Sequence, residues 1–183
     1  MRTGVSQSHD VDRAAQELFD ALAQPNIQLA TFYCSSEYDL PSLASALQAR
    51  FGDINLIGCT TAGEITPMGY LDGTLTGFSL ASDDLEVVTR CIELDPFDNA
   101  ETADLVSGMR HQLGERDGAG PNPQNTFAFL LIDGLSMKEE MVVSCVHQQL
   151  RGIDLIGGSA ADGVRFGTAH LYVNGQFRQG VAL

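Results

Sequence analysis

The chain has no tryptophan, no CxxC pair and few basic residues: Lys and Arg number 10 against 24 acidic residues, for a formal net charge of −14. No apolar run reaches the roughly 18 residues that a membrane-spanning helix needs. Each shortage excludes something. A nucleic-acid-binding protein presents a basic face, because phosphate contacts dominate its affinity, and ten scattered cations do not form one. An anionic membrane surface is disfavoured for the same electrostatic reason. The four cysteines (Cys34, Cys59, Cys91 and Cys145) lack the spacing of a zinc cluster or a thioredoxin-type site. Cys34, Cys91 and Cys145 fall inside apolar strand or helix patterns and read as small buried hydrophobes. The N-terminal stretch MRTGVSQSHDVDR carries no apolar segment, so no export signal is visible and a reducing cytoplasmic setting is expected. GxGxxG, GxxxxGK[ST] and GxSxG are all absent, which removes the dinucleotide fingerprint, the phosphate loop and the hydrolase elbow.

What is present is an ordinary globular balance, 44% hydrophobic and 19% charged. At 183 residues the chain is long enough for one domain, or for two small lobes around a shared core. It also says one thing twice. Leu56-Ile57-Gly58-Cys59-Thr60-Thr61-Ala62-Gly63 returns 99 residues later as Leu155-Ile156-Gly157-Gly158-Ser159-Ala160-Ala161-Asp162. At the same offset Leu43 meets Val142, Leu47 meets Val146, Phe51 meets Leu150 and Ile54 meets Ile153. Apolar character held in register over both segments implies two copies of one supersecondary unit.

The periodicities place the elements. Residues 10–24 read as a helix with Ala14, Leu18 and Leu22 on one face, ended by Pro25. Residues 27–35 read as a buried strand, 39–51 as a helix with Pro41 in its first turn and Gly52 after it, and 54–59 as a second strand. That order predicts a right-handed βαβ crossover. Residues 74–82 and 85–93 read as a hairpin turning at Ser82-Asp83-Asp84. The second copy follows as a helix over 100–114, a strand over 125–133, a helix over 137–150 and a strand over 153–157. Residues 117–124, rich in Gly, Pro and Asn, read as an eight-residue insertion and the expected flexible loop. Asn174-Gly175 signals a type I′ hairpin turn within 169–177, and 180–183 start a further strand that stops mid-pattern. The expected architecture is an α/β fold of two pseudo-repeated α-β-α-β-β units forming mixed, partly parallel sheets with helices packed on them. Residues 1–9 are expected to be a flexible terminus, 10–98 the first lobe and 99–183 a C-terminally truncated second lobe.

Ligands of α/β sheets bind beyond the carboxyl ends of the strands. The small-residue segments there are Gly58, Cys59, Thr60, Thr61, Ala62, Gly63 and Glu64 in the first copy and Gly157, Gly158, Ser159 and Asp162 in the second. Read as turns, they expose amide donors and hydroxyls, and together they predict one asymmetric ligand site between the copies. Glu64 and Asp162 would form an acid/base pair only if the two turns face each other. Cys59 is the one cysteine outside an apolar element, yet no basic residue adjoins it to lower its pKa. No catalytic set is complete, so binding without chemistry is the expected activity. The four histidines (His9, His111, His147 and His170) show no metal-pair spacing, and His170 is the one placed to serve as a haem ligand.

The segments IGCTTAGEI, GTLTGFSLAS, LIGGSAADG and HLYVNGQFRQGVAL, in this order and spacing, resemble the N-terminal half of FIST domains (F-box and intracellular signal transduction) over about residues 27–183. Proteins of that family normally carry a C-terminal part as well, which has no counterpart in this sequence. The resemblance implies an intracellular sensory domain of bacterial signalling. It implies partners such as a histidine kinase, a cyclic-di-GMP enzyme or a chemotaxis transducer, and small ligands with amino acids among them. It also implies, for one branch, haem binding and nitric-oxide sensing. An interaction scaffold without a ligand is the remaining alternative.

Overall fold

A computed structural model describes residues 1–114, 120–163 and 165–183. Its elements in chain order are β1 (Arg2–Ser6), α1 (Val11–Leu22), β2 (Ile27–Ser35), α2 (Leu40–Phe51), β3 (Leu56–Thr61), β4 (Glu64–Thr66), β5 (Gly69–Leu71), β6 (Leu75–Ala81) and β7 (Ile92–Glu93). They continue as α3 (Asn99–Gly114), β8 (Phe127–Asp133), α4 (Glu139–Leu150), β9 (Asp154–Ala160), β10 (Leu171–Val173), β11 (Gln176–Arg178) and β12 (Val181–Ala182). The fold is mixed α/β, with parallel and antiparallel pairing in the same sheets.

Local chemistry starts the helices where the sequence predicts them. Asp10 caps α1 by accepting from the Arg13 amide at 2.8 Å. Asp39 caps α2 through the Ser42 amide at 3.1 Å, and Asp98 caps α3 through Ala100 and Glu101. Each cap satisfies amides that the helix itself leaves without acceptors.

The strands form a six-stranded sheet, β1-β6-β2-β3-β10-β11, and a four-stranded sheet, β7-β12-β8-β9. In each, two parallel strands joined through a helix (β2–β3 and β8–β9) are flanked by an antiparallel strand from later in the chain, β6 or β12. That correspondence is compatible with a duplicated unit. Alternation along the strands separates two faces. Ala30, Phe32 and Cys34 of β2 face α1 and α2, together with Leu18, Leu22, Leu43 and Leu47. Leu29, Ile57, Cys59 and Leu171 face the other way and meet Leu131, Ala160 and Val181 of the second sheet. Leu130 and Ile132 then pack under α3 and α4 against Val106, Val142 and Val146. The layers are thus helices, sheet, sheet, helices, and the two sheets share the middle core.

Several expectations need correction. The polar terminus is not loose: Arg2–Ser6 is an edge strand paired antiparallel with β6 from Arg2↔Ser79 to Ser6↔Leu75. An edge strand needs no continuous apolar run, and Gly4 without a side chain lets Ala21 of α1 come close. The hairpin expected over 74–93 does not form. β6 already has β1 on one edge and β2 on the other, so 85–91 finds no free edge despite its β-branched residues and crosses as an extended strap. Cys91 therefore lies on the strap, half-buried, rather than in a strand. The two small-residue segments are mostly strand, not turn: β3 runs through Gly58 to Thr61, and β9 runs through Gly157 to Ala160. The parallel neighbours extend that far and keep the ladder going. The insertion read at 117–124 lies partly outside the described residues.

Candidate functional site

The carboxyl ends of β3 and β9 meet at Thr60. This buried residue donates its amide to the His170 carbonyl at 2.9 Å and accepts from the His170 amide on its hydroxyl at 3.0 Å. Its carbonyl accepts from the Ala161 amide at 2.9 Å. The Thr60 carbonyl thus joins the first segment to the second, while its N–H and hydroxyl oxygen fasten it to His170, just before β10.

The acids nearby are engaged in the same way. Glu64, 1% exposed, accepts from the Thr61 hydroxyl at 2.6 Å on one oxygen. Its other oxygen accepts from the Thr74 amide at 3.0 Å and the Thr74 hydroxyl at 2.7 Å. Asp162 accepts from the amides of Gly167 at 2.7 Å and Thr168 at 2.9 Å. Those donors, Thr168 foremost, hold its carboxyl below the usual aspartate range. Asp133 accepts from Leu135 and from Gly180, at 2.9 and 2.7 Å. Among the described residues Glu64 and Asp162 are hydrogen-bonded to other groups and not to each other, so the expected acid/base pair is not assembled. Ala62 and Gly63 form a short turn under the Tyr70 ring, whose hydroxyl lies 2.8 Å from the Ala62 carbonyl. Gly63 has φ +148, and any side chain there would strike the Tyr70 hydroxyl. Gly157, Gly158 and Ser159 lie exposed along β9, with the Ser159 hydroxyl 3.4 Å from Glu139.

Cys59 is buried in β3 opposite Leu171, and desolvation pushes its thiol up to about 12. A thiol held that high is protonated at neutral pH and a poor nucleophile. His170 is half-buried. Burial lowers its pKa, while Asp133 and Asp162 pull the other way. A haem ligand needs an open imidazole nitrogen facing an apolar cleft. The Nε2 atom of His170 lies 2.8 Å from the Gln179 side chain, and Nδ1 is buried without a partner. With one imidazole nitrogen engaged and the other buried, the residues around His170 do not fit a haem. His9, His111 and His147 are exposed. Among the described residues no three His, Cys, Asp or Glu side chains gather as a metal site. No described helix is long and apolar enough to cross a membrane.

A cleft of about 820 Å³ opens at the other end of β3. Its walls are Gln48 with residues 52–57, the strap at 89–91, and the β10–β11 hairpin at 172–176. Asn55 and Thr89 exchange hydrogen bonds at 2.8 and 3.1 Å and fasten the strap to the sheet. Asn174 and Gly175, with φ 51 and 80, make the tight turn that the Asn-Gly pair predicts. Asp53 and Arg90 bring one charge of each sign to the rim. Tyr172 lines the cleft at 1% exposure, stacks edge-on against Phe32 at 5.2 Å, and has a buried hydroxyl with no hydrogen-bond partner. A buried hydroxyl without a partner is costly, by about 1–3 kcal/mol. A second cleft of about 380 Å³ lies between α3 and α4, around Met141 and Cys145.

Sequence reasoning missed the larger cleft. Its one local signal is Asn174-Gly175; the strap has the composition of a strand, and nothing in the pattern of Tyr172 marks its hydroxyl as unpaired. Among known families, the FIST N domain model matches residues 28–183. No curated protein and no solved structure matches the chain.

Proposed function

The chain belongs to the FIST N domain family, which is associated with signal transduction, and on that premise we propose that it is a sensory module binding a small polar molecule in the cleft walled by Asn55, Thr89, Arg90 and Tyr172. Tyr172, which lines that cleft and whose buried hydroxyl has no hydrogen-bond partner, is the observation that carries the reading. A ligand oxygen or nitrogen completes the missing hydrogen bond. Asp53 suits the ammonium of a free amino acid, and Arg90, whose guanidinium donates to the Thr89 carbonyl at 2.9 Å and to Gln112 at 2.6 Å, has further N–H donors for its carboxylate. The site thereby moves from the strand junction, where Thr60, Glu64 and Asp162 are already hydrogen-bonded within the protein, to the opposite end of β3. The reading is of binding without chemistry, in keeping with the raised Cys59 thiol.

Binding there draws the β10–β11 hairpin and the strap together. Because β10 is hydrogen-bonded to β3, the displacement reaches Thr60 and the second sheet. A histidine kinase, a cyclic-di-GMP enzyme or a chemotaxis transducer would read the change.

Titrating amino acids into the chain by calorimetry, alongside thermal shift, tests the proposal. At least one member of the panel raises the melting temperature. Tyr172→Phe removes the unpaired hydroxyl, so it leaves the free protein as stable or more stable while weakening ligand binding about tenfold. A silent panel, or unchanged affinity in Tyr172→Phe, defeats the reading.

A further inference from the structure

The two halves treat equivalent hairpins differently. After β3 comes the hairpin β4–β5 and then β6; after β9 comes the hairpin β10–β11 and then β12. The second hairpin does not stay with its own sheet. β10 pairs antiparallel with β3 of the first half, Leu171 opposite Cys59 and Tyr172 opposite Gly58. Its cross-strand pair Tyr172↔Phe177 packs on Phe32, at 5.2 and 6.0 Å. The reciprocal contact, β4 on β9, is missing. β9 is an edge strand with only β8 beside it. Ile156 on it is 53% exposed, and Phe127 of β8, paired with Asp154 on the same strand, is 56% exposed. The β4–β5 hairpin is left with its own cross-strand pair, Ile65↔Tyr70, in solvent at 85% and 63% exposure.

An open strand edge beside apolar side chains is a surface for strand addition. The hairpin cannot reach its own chain's β9 without loss. Its base is held by the buried Glu64 carboxylate through Thr61 and Thr74, and by the Tyr70 hydroxyl, which donates to the carbonyl of Ala62 just before β4. We propose that the β9 edge of one copy receives the β4–β5 hairpin of a second copy, reproducing between chains the pairing that β10 makes with β3 within one. By that correspondence Ile65 lies opposite Gly157 and Glu64 opposite Gly158. Exchange in both directions gives a closed twofold pair, in which the same patch serves both copies. Gly158 suits the role, since open space surrounds the position where a Cβ would be and no side chain obstructs an incoming strand.

Sedimentation velocity over a concentration series, together with hydrogen exchange, tests this on the 183-residue chain. Expected are concentration-dependent association and slowed exchange at both Ile65–Tyr70 and Gly157–Ser159. Ile65→Lys and Gly158→Lys each weaken association about tenfold or more, the second by charging the edge. Both sites are exposed, so the monomer keeps its melting temperature, which is measured alongside. Met141→Lys, on the exposed face of α4, leaves association intact. A chain that stays monomeric throughout, or that associates undiminished in Ile65→Lys, overturns the proposal. So does association lost only in Met141→Lys.

Discussion

β3 and β9 share the run Leu-Ile-Gly and lie in opposite surroundings. β3 has β2 on one edge and β10 on the other, and its side chains are buried on both faces. β9 has β8 alone, and five of its seven residues are exposed. The difference shows that burial is decided by neighbours, not by the motif. Leu-Ile-Gly is common to both, yet Ile57 lies in the middle core and Ile156 in solvent. The residues that differ, Cys59 against Gly158 and Thr60 against Ser159, follow that contrast. In the first copy they fill the core or join strands; in the second they leave an open edge.

The comparison is broken most severely by Glu64→Ala. That change leaves the Thr74 amide and two threonine hydroxyls without their shared acceptor and costs about 3 kcal/mol or more. Ser159→Ala on β9 stays within about 0.5 kcal/mol, and urea midpoints of the two variants check the gap. Next come the matched helix positions. Leu47→Ala costs about 3 kcal/mol and Val146→Ala about 2 kcal/mol, because leucine loses more buried carbon; parallel thermal melts compare them.

Asp162→Asn is smaller and depends on pH. The native carboxyl is held below its ordinary range. Its stabilisation is therefore present above the unfolded-state pKa and is lost as pH falls through the lowered folded value. The asparagine variant melts below the native chain at neutral pH and converges with it in acid, as melts from neutral to acid pH reveal. The smallest effect is Gly158→Ala. With open space at the site, the alanine raises stability by up to about 1 kcal/mol, whereas Gly58→Ala, whose Cβ would lie 2.6 Å from the Phe32 ring, lowers it.

Much of the local structure was legible in the sequence. The four helices, the strands of both βαβ units and the Asn174-Gly175 turn are encoded within a few residues, by local periodicity and turn chemistry. What pairs with what across the chain was not. The strap at 85–91 has the composition of a strand, and only the prior claim of β1 on the β6 edge prevents it from being one. Arg2–Ser6 lacks the composition and is a strand because that edge was open to it. The two Gly-rich segments, expected to form a ligand site, are joined by a hydrogen bond from the Ala161 amide to the Thr60 carbonyl. Periodicity could not show that Thr60 and Glu64 would be hydrogen-bonded within the protein there, or that Tyr172, 10 residues beyond Asp162, would carry an unpaired hydroxyl. Orphaned atoms are a property of packing and leave no mark in a residue pattern.

The crossing of β10 onto β3 also sets an order of events during synthesis. Most of the first sheet has left the ribosome once residue 81 emerges, with β1, β2, β3 and β6 all in hand. The open edge of β3 then waits for residues 171–178, about 90 residues later. At the usual pace of translation that is a delay of several seconds, longer than a β-hairpin needs to form. Through that interval the nascent chain carries an uncovered strand edge, and β4–β5 beside it is the one hairpin already made.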